Sequence, residues 1–219
     1  AAEAELAFSE DAGTSWTMLS GLVQEPISAL AFSALYEQDR ALFVGTAAGQ
    51  VLVSRNDGVS WEQQVVFEGQ TVVALAALGD SLYVVTGMPT EAGTWQLTLR
   101  GSATWEALYT CEASQPAAVL NLSAAPSVYC AIEEHVVCVV GDERVAEDEL
   151  VDVEQISSLA AVENTVLAGS RKGLYRSTDG ARSWQCVSSE IPIVALDAAS
   201  PTRWYAVSMG GGLWEIDLD

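Results

Sequence analysis

Three matching eight-residue boxes, five returns of one apolar strand template and no helical periodicity predict an all-β chain. The expected fold is a single β-propeller domain over residues 1–219, of five four-stranded blades, with the N- and C-terminal strands closing one blade.

The boxes are "SEDAGTSW" (Ser9 to Trp16), "SRNDGVSW" (Ser54 to Trp61) and "STDGARSW" (Ser177 to Trp184). Each begins on serine, carries Asp or Asn third, serine seventh and tryptophan last. Repetition at this length calls for a repeat architecture before any other reading. An eroded copy, "TLRGSATW", ends at Trp105, and around "VVGDERV" the box is gone.

The inner strands fix the blade count. "ISALAF" (27–32), "VVALAA" (72–77), "VLNLSA" (119–124), "ISSLAA" (156–161) and "IVALDA" (193–198) place Leu30, Leu75, Leu122, Leu159 and Leu196 at one template position. Short, nearly all-apolar runs bounded by turns read as strands buried on both faces, and small residues suit strands crowded near an axis. Each is followed by a second apolar strand, and usually by a glycine-containing turn, a third strand, the box and a fourth strand. The N-terminal segment supplies a third and a fourth strand, and "GGLWEIDLD" reads as another third strand. The tally is therefore one strand more than five fours. Either the closing blade holds an extra strand, or a blade has been lost from a longer parent.

The boxes resemble the Asp-box, or BNR repeat, S-x-D-x-G-x-[ST]-W, of sialidases, sortilin-type receptors, xyloglucan-degrading glycosidases and photosystem II assembly factors. The match covers Ser9, Asp11, Gly13, Ser15 and Trp16; Ser54, Asn56, Gly58, Ser60 and Trp61; and Ser177, Asp179, Ser183 and Trp184. Asn56 replaces the usual acid and Ala181 the usual glycine. The resemblance implies a structural clasp between third and fourth strands, with all three tryptophans mostly buried. It is specific for fold and poor for function, since one scaffold hosts unrelated activities.

Composition narrows the function. Thirty acids stand against eight arginines and Lys172, a formal net charge of −21. That argues against nucleic acid and anionic membrane, whose binding needs basic residues, and favours cations or a basic partner. No apolar run reaches a membrane span. The opening "AAEAELAF" lacks a signal-peptide layout and a methionine, as in a processed or trimmed chain, and carries no address. Cys111, Cys130, Cys138 and Cys186 form no C-x-x-C pair, which argues against zinc; Cys130 and Cys138 either face each other across a hairpin or are buried free thiols.

No catalytic set is legible. A sialidase holds its substrate carboxylate with three arginines, but Arg55, Arg100, Arg176 and Arg182 fall in or beside the boxes. Arg40 and Arg203 fall between first and second strands, on the same face. His135 is the single histidine, placed in a turn. A glycosidase using paired carboxylates is the alternative to a non-catalytic scaffold binding a protein or glycan. The scaffold reading suggests a monomer. On the face opposite the boxes, a glutamate precedes each inner strand: Glu25, Glu68, Glu112, Glu154 and Glu190, with Glu91, Glu133 and Glu134 in second-to-third turns. This candidate acidic rim would hold a divalent cation such as calcium, or dock a basic patch, or be solvated loop acids.

Overall fold

A computed structural model describes residues 6–9, 11–19, 25–78, 81–88, 93–100, 104–113, 118–122, 127–132, 135–140, 143–149, 155–189 and 191–217. The architecture is all-β, with a single helical turn among the described residues, α1 (Tyr36–Asp39).

Strands β1 (Leu6–Phe8) and β2 (Thr17–Leu19) form a two-stranded hairpin around the first box. The first sheet holds β3 (Ile27–Phe32), β4 (Leu42–Thr46), β5 (Gln50–Ser54) and β6 (Glu62–Val66). The second holds β7 (Thr71–Leu78), β8 (Ser81–Gly87), β9 (Gly93–Arg100) and β10 (Trp105–Ala113). The third holds β11 (Ala118–Leu122), β12 (Ser127–Ile132), β13 (His135–Val140) and β14 (Glu143–Glu149). The fourth holds β15 (Ile156–Val162), β16 (Thr165–Ser170), β17 (Gly173–Ser177) and β18 (Gln185–Ser189). The fifth has three strands, β19 (Ile193–Ala198), β20 (Arg203–Ser208) and β21 (Leu213–Asp217). Every sheet is an antiparallel meander in chain order, as short connections favour.

The expected inner strands are β3, β7, β11, β15 and β19, and they stand side by side in that order. Among the described residues the core lies in four layers between successive sheets. Val51, Val72 and Leu75 fill the first, Tyr83, Val128 and Ile132 the second, Tyr129, Ile156 and Val166 the third, and Leu167, Ile193 and Trp204 the fourth. Glycine lets two of these layers close tightly. A Cβ on Gly45 would lie 2.3 Å from Val72 Cγ1, and one on Gly169 2.6 Å from Ile193 Cγ2.

The expected closing blade is not formed among the described residues. β1 pairs with β2 alone, and β21 takes the edge of β20 from Val207↔Leu213 to Arg203↔Asp217, the edge an N-terminal third strand would need. β19 does not pack beside β3 as the other inner strands pack beside one another. The hairpin instead lies against the first sheet, where a Cβ on Gly58 would come within 2.5 Å of Leu19 Cδ1.

Cys130 and Cys138 are buried and form no disulfide with each other. They cannot face each other, because Cys130 lies opposite Val137 and Cys138 opposite Tyr129, so the two thiols enter different core layers. Burial pushes the Cys138 thiol up. His135 opens β13 rather than sitting in the turn before it.

Candidate functional site: the box turns and the face opposite them

Each box turn is held by its own side chains. In the first, Gly13 N–H donates to Ser9 Oγ at 2.7 Å, Ser15 N–H to Asp11 Oδ1 at 2.8 Å and Ser15 Oγ to Asp11 Oδ2 at 2.7 Å. The third repeats this: Ala181 N–H to Ser177 Oγ at 2.9 Å, Ser183 N–H to Asp179 Oδ1 at 2.9 Å and Ser183 Oγ to Asp179 Oδ2 at 2.7 Å. Hydrogen bonds from Ser15 and Ser9 hold the Asp11 carboxyl down to about 2, and bonds from Ser183 and Ser177 do the same for Asp179.

The two departures from the pattern are both accommodated. Asn56 keeps its Oδ1 as acceptor for Ser60 N–H at 2.9 Å, while its Nδ2 donates to Ser60 Oγ at 2.9 Å. The bond survives with its direction reversed. The turn needs two successive left-handed residues: Ala12 and Gly13, Asp57 and Gly58, Gly180 and Ala181, all with φ between 56° and 85°. Glycine relieves strain at either position. The third box therefore moves its glycine one residue earlier, to Gly180, and the sequence pattern scored this as a loss.

The tryptophans differ. Trp61 and Trp184 are half-buried, Trp184 against the third core layer. Trp16 is 64% exposed, contrary to expectation. Its hairpin is two-stranded among the described residues, so no sheet covers the ring; its Nε1 donates to Gly13 O at 3.2 Å, as Trp61 Nε1 does to Gly58 O at 3.0 Å. Trp105 of the eroded copy keeps an edge-on contact with Phe67, centroids 5.6 Å apart.

The arginines are dispersed. Arg182 donates to the Asp179 carbonyl at 2.9 Å, Arg203 pairs with Glu215 at 2.9 Å, and Arg40 lies near Asp57 at 3.9 Å and over the Tyr36 ring.

On the face opposite the boxes, second-to-third turns bond to the links that lead into inner strands. Ala47 N–H donates to Pro26 O at 2.9 Å, Thr71 Oγ1 to Ala47 O at 2.9 Å, and Phe67 N–H to Gly49 O at 2.9 Å. Met209 N–H repeats the pattern on Pro192 O at 2.9 Å. Glu25 and Glu68 are exposed on these links. Glu112 falls within β10, while Glu154, Glu190, Glu91, Glu133 and Glu134 lie outside the described residues. Among the described residues no three His, Cys, Asp or Glu side chains come together as metal ligands, and no helix is long and apolar enough to cross a membrane. Trp214 is half-exposed in a cleft of about 330 Å³ with Leu174, Val187 and Ile191.

No known family matches the chain as a sequence, and no curated protein does. Solved structures do match. An ancestral GH74 enzyme aligns with a TM-score of 0.72 and 16% identity over 97% of this chain and 34% of its own. YCF48 from Cyanidioschyzon merolae aligns with a TM-score of 0.65 and 14% identity over 96% of this chain and 74% of its own. The RRP9 WD40 repeats align with a TM-score of 0.69 and 11% identity over 92% of this chain and 62% of their own. The class these likenesses define is the β-propeller. At such identities they carry the fold alone, and the chain spans one third to three quarters of these neighbours.

Proposed function

We propose that the chain is a non-catalytic binding or assembly scaffold of the Asp-box type, recognising a protein or glycan partner through the face opposite the boxes. The observation that carries this is how the box side chains are used. Asp11, Asn56 and Asp179 spend their polar atoms on their own turns, so the boxes brace the sheets and offer no chemistry. The opposite face carries turns tied to one another by backbone bonds, a rigid mount for variable side chains. Its exposed Glu25 and Glu68, in a chain of net charge −21, favour a basic patch on the partner.

The test is capture from lysate at low and high salt, comparing the native chain with Glu25→Lys combined with Glu68→Lys. The scaffold reading expects a salt-sensitive partner that the double variant loses. The alternative, a glycoside hydrolase using paired carboxylates, would show itself as turnover of an aryl-glycoside panel by pure protein, and such turnover would displace the scaffold reading.

A further inference from the structure

We draw no further inference here: the strongest candidate, the apolar cleft of about 330 Å³ between the fourth and fifth sheets that Leu174, Val187, Ile191 and Trp214 line, borders an edge of β21 that is unpaired among the described residues, and nothing in the structure shows what covers it.

Discussion

The hydroxyl of Ser157 lies against the backbone carbonyl of Ile193, linking the inner strand of the fourth sheet to that of the fifth. Ser28 makes the same link from the first sheet to Val72 in the second. In both cases the serine sits where the pairing register slips by one residue, between Ile156 and Ser158 and between Ile27 and Ala29. A bulge re-aims a side chain out of the regular alternation. Here it lets a second-position serine donate across a sheet boundary. Ser157→Ala and Ser28→Ala should each cost about 0.5–1.5 kcal/mol, the net worth of such a bond. The two lie in different core layers, so their effects should add. Urea unfolding measures both, and unchanged midpoints would show that these links contribute nothing.

The same boundaries depend on the absence of a side chain. An alanine Cβ at position 45 would meet Val72 Cγ1 at 2.3 Å and Val72 Cβ at 2.8 Å, and valine is stiff at χ1. Gly45→Ala should therefore destabilise by about 1–3 kcal/mol through overpacking. Adding Val72→Ala removes the Cγ1 contact and leaves the 2.8 Å approach to Cβ, so the clash is relieved in part and the double variant should lose less than the two single losses combined. Strict additivity would mean that the close approach at Gly45 carries no strain.

Sheet order and inner strands were legible because they rest on repetition: Leu30, Leu75, Leu122, Leu159 and Leu196 mark β3, β7, β11, β15 and β19 directly. The bulges were not, since a register slip has no residue signature and Ser28, Val73, Ser157 and Val194 share none. The open boundary between fifth and first sheets was foreshadowed by the strand tally. Its outcome depended on whether β1 or β21 takes the edge of β20, and both read equally well as third strands. The cluster of Phe32, Tyr36, Arg40 and Asp57 left no sequence signal, because Asp57 joins it from a box turn far along the chain. The acidic rim was a pattern of loop positions, of which Glu25 and Glu68 alone fall on described links.

The box tryptophans should separate by burial. Trp61 and Trp184 are half-buried, and truncation of either to alanine should cost about 2–3 kcal/mol, below the range for fully buried aromatics. Trp16, exposed on its two-stranded hairpin, should cost about 0.5 kcal/mol, as exposed positions do. Thermal melts of the three variants check the order. Equal losses at all three would show that the hairpin is packed against something that covers Trp16.

Acid should unclasp two of the three boxes. Serine hydrogen bonds hold the Asp11 and Asp179 carboxyls down to about 2 in the folded chain, from an ordinary aspartate value of 3.8. A carboxyl that binds its proton less readily when folded stabilises the fold wherever it is ionised. That contribution is complete above about pH 4 and is lost as pH falls through about 2. The middle box takes no part, because Asn56 does not titrate. Asp179→Asn should fold normally at neutral pH, since Asn56 shows that an amide serves the same turn. Its stability should fall less steeply than the native chain's between pH 4 and pH 2. Asn56→Asp should do the reverse and add a third acid-sensitive clasp. Equilibrium unfolding at a series of pH values compares the slopes within one background, so the titration of the other acids is shared by all three chains. Identical slopes would show that the box carboxylates do not hold their turns.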